Sequence, residues 1–265
     1  MSLKMMELRE TYLRQGFAVL DADPATQAWA QAAQHEVQLV TLDPALKAQW
    51  LRGAGTWFVG VDALPNTPSG AISGVPLEGG VIDLIANLGL MPKSWHRAQV
   101  SVVYPGYPKP QEGDSPAAAK YRETRDAAHV DGLFADGPER RRKLREPHAF
   151  VLGLPLNSVG PDAAPMSVWP GSHLIMGAAF RTALALRRVK DWPDVDLTEI
   201  YVAARRTCFD RLERWVLPVQ PGQATLIHRH LLHGIAPWQA PDVAQGRQIA
   251  YFRPQFTSLA DWLSP

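Results

Sequence analysis

Cysteine is almost missing from this sequence: Cys208 is the only one in 265 residues. That excludes an internal disulfide framework and any zinc site built from several thiolates. A reducing, cytoplasmic setting is the expectation. An excess of charge is missing too, since 27 Lys and Arg stand against 26 Asp and Glu, a formal net charge of +1. Nothing at whole-chain level points to nucleic acid or an anionic membrane as partner. Long hydrophobic runs are absent as well. Stretches such as FVLGLPL (150–156) are far too short to span a bilayer. The first twenty residues, MSLKMMELRETYLRQGFAVL, scatter charge and contain no apolar core of signal-peptide length. Internal repeats and low-complexity tracts are not found.

What is present is a globular composition, 46% apolar and 20% charged, in a chain long enough to bury a sizeable core. One domain over residues 1–265 is expected. Residues 4–15 carry Met5, Leu8, Tyr12 and Leu13 at helical spacing, Gly16 ends that helix, and FAVL reads as a strand. Residues 25–38, 44–52 and 81–90 also read as helices, while 53–80 is Gly/Pro-rich loop. The texture changes near residue 97. RAQVSVVYPG (97–106), HAFVLGLPL (148–156), MSVWPGSH (166–173), RWVLPVQPG (214–222), ATLIHRHLLHG (224–234) and RQIAYFRPQF (247–256) read as short strands bounded by Gly and Pro. Many short strands with turn signals suggest a jelly-roll barrel or sandwich. Residues 174–213 read as a helical insertion. The architecture expected is mainly β with a helical layer: N-terminal helices over about 1–95 packed on a β-barrel core over about 96–256. Residues 105–128 lack a strand and are long for a loop, as functional lids often are.

The chemistry concentrates in two places. In AAHVDGL (127–133), strand alternation would point His129 and Asp131 to one face and Val130 to the other, so both groups can reach a single ion. Downstream, HRHLLHG (228–234) offers His228 and His230 on one strand face and His233 where Gly234 breaks the strand. Arg247 opens the last strand, fourteen residues after His233. Two antiparallel neighbours would bring a histidine and an arginine together at one end of the barrel.

His129-Val130-Asp131, His233 and Arg247, in that order, resemble the iron(II)- and 2-oxoglutarate-dependent dioxygenases. VWPGSH (168–173) and GFAVL (16–20) narrow the resemblance to the phytanoyl-CoA dioxygenase-like family, over about residues 95–256. It implies a double-stranded β-helix of the jelly-roll, cupin-like kind. It also implies that His129, Asp131 and His233 hold Fe(II) as a facial triad, leaving three positions open for 2-oxoglutarate and O2. The reaction implied is hydroxylation of a small organic substrate, with 2-oxoglutarate decarboxylated to succinate and carbon dioxide. Related halogenases lack the carboxylate, so Asp131 argues for hydroxylation. Arg247 is the implied anchor for the distal carboxylate, because a guanidinium fork matches a carboxylate bidentately.

Several residues compete for these roles. His228 and His230 read as ordinary strand residues beside His233, and His173 as part of a turn that lines the site or holds its shape. Arg253 lies on the same strand face as Arg247 but about 20 Å along it, so one arginine serves a given site. Arg253, before Pro254, reads as structural or surface. Ile249 stands where some relatives have a hydroxyl that contacts the cosubstrate, and Gln99 or Tyr104 is the candidate replacement. The basic run PERRRKLREP (138–147) reads as a solvated surface segment rather than an anion-binding patch. Two other classes compete with the dioxygenase: a non-catalytic ligand-binding barrel, and a cupin-type metal enzyme that does not use 2-oxoglutarate.

Overall fold

The structure, a computed structural model, describes residues 2–241 and 243–264. Its elements follow from local signals at their ends. Helix α1 (Leu3–Gln15) is capped by the Ser2 hydroxyl, which accepts from the Met5 N–H, and stops at Gly16 in the left-handed region. Strand β1 (Phe17–Leu20) leads to Asp23, whose carboxylate accepts from the N–H groups of Ala25 and Thr26 and starts α2 (Pro24–Leu42). Asp43 caps α3 (Pro44–Trp50) in the same way. Each aspartate precedes a proline at the first helical position, where the missing N–H costs nothing.

The chain continues through β2 (Leu51–Arg52), β3 (Trp57–Gly60), α4 (Gly80–Asn87), β4 (Gln99–Val103), α5 (Pro116–Arg125), β5 (Leu133–Asp136), β6 (Arg141–Leu144) and β7 (Phe150–Pro155). Then come β8 (Met166–Val168), α6 (Ser172–Leu184), α7 (Thr198–Arg211), β9 (Trp215–Leu217), β10 (Ala224–His228), β11 (His233–Ile235) and β12 (Arg247–Phe252). Short 3-10 turns cover Val189–Asp194 and Leu259–Leu263. Among the described residues no helix is long and apolar enough to cross a membrane.

All strand pairs are antiparallel. Seven strands form one sheet in the order β1-β10-β7-β12-β4-β3-β2, three form a second in the order β11-β8-β9, and β5-β6 is a separate hairpin. A single bridge, His129 to His233, extends the smaller sheet beyond β11.

Both faces of the central strands β4, β7 and β12 are buried, so β7 is a nearly unbroken apolar run and the polar residues Gln99, Ser101, Arg247 and Gln248 are buried as well. Alternation divides them. Val100, Val102, Leu152, Leu154, Ala250 and Phe252 pack against the helical layer with Trp29, Val37 and Leu84. Val151, Ile227, Ile249 and Tyr251 point the other way, onto Met166 and Val168 of the smaller sheet. Fully burying a side chain such as Phe252 contributes about 2–3 kcal/mol. The inner face therefore holds odd-numbered β12 residues, Arg247 included, and their cross-strand partners Gln99, Ser101 and Val103 on β4.

The structure departs from the sequence reading at several points, among them β3 inside the 53–80 stretch and the start of α6 within MSVWPGSH. ATLIHRHLLHG is not one strand: β10 ends at His228, a turn carries residues 229–232, and β11 begins at His233. The 105–128 stretch contains α5. The basic run is half of the β5-β6 hairpin, where Arg141 pairs with Glu139 and Asp196, and Lys143 and Arg145 with Asp136. Those cations are locally neutralised, as a solvated surface segment requires.

Candidate metal centre

His129 and His233 exchange both backbone hydrogen bonds, with N···O distances of 2.8 and 3.1 Å. This pairing sets their rings side by side, centroids 4.7 Å apart. Asp131 completes the group. Its Oδ1 lies 3.1 Å from His129 Nε2 and its Oδ2 3.8 Å from His233 Nε2. One ligand atom from each residue falls within 4.8 Å of the others, and among the described residues this is the only such cluster.

The tautomers suit a metal. Nδ1 of His129 is 3.0 Å from the Ala127 carbonyl, and Nδ1 of His233 is 2.9 Å from the Leu231 carbonyl. A carbonyl only accepts, so each Nδ1 carries a proton and each Nε2 is the atom turned to the shared space beside Asp131. Burial holds the His233 imidazole down to about 4, against the pull of Asp131. Burial pushes the Asp131 carboxyl up, but Arg253 and the two histidines overcome it and hold the group well below the usual carboxylate range. The trio offers one carboxylate and two imidazole nitrogens, the donor set of a facial two-His, one-carboxylate site.

Neighbouring residues hold the trio in place. Asp131 sits in a turn rather than a strand, followed by Gly132 at φ +83°. A Cβ on Gly132 would come 2.1 Å from the Glu146 carbonyl oxygen, so only glycine fits. Gly234 is similarly constrained, with the Asp126 carbonyl 2.2 Å from where its Cβ would be. The Tyr121 hydroxyl donates to the Ala128 carbonyl at 2.6 Å and fixes the approach to His129. In PGSH, the Ser172 hydroxyl accepts from the Leu232 N–H at 2.9 Å, steadying the residue before His233.

His173, His228 and His230 form a separate buried group, with successive ring centroids 5.0 and 5.3 Å apart. Burial lowers all three pKa values, those of His228 and His230 well below the ordinary histidine range. None of them joins the metal trio.

Arg247 opens β12 and Arg253 directly follows its last residue. Arg253 is not a surface residue: its Nε is 2.8 Å from Asp131 Oδ2, and its Nη1 donates to Gln99 Oε1. Its backbone is held by two more histidines, its N–H donating to His96 Nε2 at 2.6 Å and its carbonyl accepting from His148 Nδ1 at 3.0 Å. The alternation placed Arg253 on the inner face, but only the antiparallel pairing of β12 with β4 and β7 shows that its end of the strand is the metal end. Arg247 lies at the opposite end, 6% exposed. Its Nε and Nη2 are buried without a hydrogen-bond partner, and no acidic side chain among the described residues pairs with it. Tyr107 is close by; burial pushes its hydroxyl up to about 12, against the pull of Arg247. Of the two candidates for a second cosubstrate contact, Gln99 reaches the metal end through Arg253. Tyr104 points away: it packs with the helix-side core and lines a cavity with Phe58 and Gln248 on the outer face. Its candidacy is corrected accordingly, because position 104 has the parity of Val100 and Val102.

No protein-family model and no curated protein sequence matches the chain. Solved structures share its fold. AviO1 from Streptomyces viridochromogenes Tue57 aligns over 97% of this chain and 98% of its own, at 15% identity and a TM-score of 0.51. The non-heme alpha ketoglutarate dependent carbocyclase SnoK from nogalamycin biosynthesis aligns over 97% of this chain and 88% of its own, at 16% identity and a TM-score of 0.53. At such identities the likeness establishes the fold, and the site must carry the chemistry.

Proposed function

We propose that this chain is a single-domain, mononuclear iron(II)- and 2-oxoglutarate-dependent dioxygenase that hydroxylates a small organic substrate. The two sheets are read as a double-stranded β-helix: β4, β12, β7 and β10 in one wall, and the 129–131 segment, β11, β8 and β9 in the other. His129, Asp131 and His233 would hold Fe(II). When bound, iron and 2-oxoglutarate supply the oxidising power, reducing O2 as the keto acid becomes succinate and carbon dioxide, with one oxygen atom going to succinate and the other to substrate.

The observation that carries this reading is the pairing of the trio with a second, unsatisfied group. Arg247 is a buried guanidinium with free donors on the barrel's inner face. An unpaired buried charge is costly, and a carboxylate ligand is the natural remedy. Arg247 would clamp the distal carboxylate of 2-oxoglutarate. Arg253 already touches Asp131 and orients that ligand, while Gln99 holds the Arg253 fork in place. The Nδ1–H bonds to backbone carbonyls keep both imidazoles aimed, with Nε2 toward the metal position.

The test is an anaerobic spectrophotometric titration of metal-free protein with iron(II), then 2-oxoglutarate. A visible charge-transfer band that requires protein, iron and keto acid together is expected. Iron binding without that band favours a cupin-type enzyme, and no iron binding favours a ligand-binding barrel.

A further inference from the structure

A cleft of about 450 Å³ opens beside the metal trio, a size within the range of small-ligand sites. One of its walls, Arg253, touches Asp131, Gln99 beside it holds the Arg253 fork, and its Glu146 packs by its backbone on Gly132, the residue after Asp131. The larger cavity, about 600 Å³, lies on the outer face of the big sheet with Tyr104 and Gln248 and has no such connection.

Every charge in the cleft except that of Lys93 is already engaged. Asp62 Oδ1 is 3.2 Å from His96 Nδ1, Glu146 Oε2 is 3.0 Å from His148 Nε2, and Arg253 is against Asp131. Lys93, Ser94, Gln255 and Thr257 also line it and are exposed, and none forms a side-chain hydrogen bond or ion pair. Hydroxyl, amide and one ammonium are therefore the groups left to meet a ligand. Carbon surface comes from Val61, two prolines and side-chain stems, and no Phe, Tyr or Trp lines the cleft. A fatty acyl chain would find no continuous apolar wall here. A zwitterion would find one unpaired cation, Lys93, and no unpaired carboxylate, so its own cation would lose water for little return. A neutral molecule with several hydroxyls can satisfy alternating donors and acceptors while keeping its rim wet.

Resting on the dioxygenase reading, we propose that this cleft is the substrate site and that the substrate is hydroxyl-rich, a carbohydrate or polyol unit held by Gln255, Thr257, Ser94 and Lys93.

The test is saturation-transfer NMR on the full chain, with methyl β-D-glucopyranoside, L-proline and hexanoyl-CoA offered in turn. The glucoside is expected to receive saturation, and the signal should fall at least fivefold in a Gln255→Leu, Thr257→Val double variant. Both positions are exposed, so folding is retained, and Thr257→Ser should keep most of the signal. Preference for proline or hexanoyl-CoA, a glucoside signal indifferent to the double variant, or no signal from any probe overturns the proposal. The same samples titrated with cobalt(II) report the metal trio separately. Cobalt binding without glucoside binding sinks the cleft alone, whereas glucoside binding without cobalt sinks the metal reading that the cleft's role as substrate site depends on.

Discussion

Replacing Arg247 with methionine should make the ligand-free protein more stable and its keto-acid binding weaker, two effects of opposite sign from one change. The side chain is 6% exposed, and Nε and Nη2 lack partners. Each unsatisfied buried donor costs about 1–3 kcal/mol, more when charged. Methionine keeps the linear stem and removes the donors, at a cost of about 1–2 kcal/mol for imperfect filling. A net gain of about 1–3 kcal/mol should raise Tm by roughly 2–8 °C in a chain of this size. Binding moves the other way. Losing two charge-assisted hydrogen bonds, each about 1.5–3 kcal/mol, should raise the Kd for 2-oxoglutarate by about two orders of magnitude or more. The assay is thermal unfolding with and without 2-oxoglutarate, under nitrogen and with a redox-inert divalent metal. Wild type should gain Tm with the keto acid through mass action, and the variant should start higher and gain little. A lower starting Tm for Arg247→Met would mean that the guanidinium has a structural partner, and an unchanged keto-acid shift would mean that another residue is the anchor.

Other outcomes follow from the same geometry. Asp131→Ala should abolish metal binding and coupled turnover, measured by metal content after dialysis and by succinate release; normal hydroxylation by the variant would remove Asp131 from the ligand set. Gly132→Ala places a Cβ 2.1 Å from the Glu146 carbonyl at a left-handed residue and should cost at least ~2 kcal/mol by denaturant unfolding, with loss of metal affinity. The buried His230 has a depressed pKa, so its contribution is fully present above the unfolded value of about 6.5 and is lost as pH falls toward the folded value. Stability should decline by up to ~1.4 kcal/mol per pH unit on its account below that point, and His230→Gln should flatten the Tm–pH curve between pH 6.5 and 5. Tyr104→Phe should leave the 2-oxoglutarate requirement unchanged, while Gln99→Ala should alter it; equal effects in a cosubstrate titration would contradict the parity argument.

How much of the site could be read from sequence depends on whether each residue's position is fixed locally or by pairing. His129 and Asp131 were legible because two positions along a chain stay close in almost any backbone; the site survives although Asp131 sits in a turn and not on a strand. His233 was legible through the glycine that follows it, and the 2.2 Å approach of the Asp126 carbonyl explains that glycine. The apolar run of β7 announced a buried strand, and alternation correctly set Arg247 and Arg253 on one face. Alternation says nothing about which end of a strand meets a partner a hundred residues away. That is decided by the register of β12 against β4 and β7, where Tyr251 lies opposite Gln99 and Gly153. Hence the contact of Arg253 with Asp131 was hidden, as was the hold that His96 and His148 have on its backbone from distant segments. The split of HRHLLHG was hidden for a related reason. Its residues suit a strand, and the break at 229–232 comes from the chain passing from one sheet to the other, with Leu231 in the inner core and Leu232 in the core beneath α6. A signal for Arg253 did exist. A cation six residues beyond a buried cation on the same strand face must itself find an anion or water, and the nearest unspent anion in the motif set is Asp131.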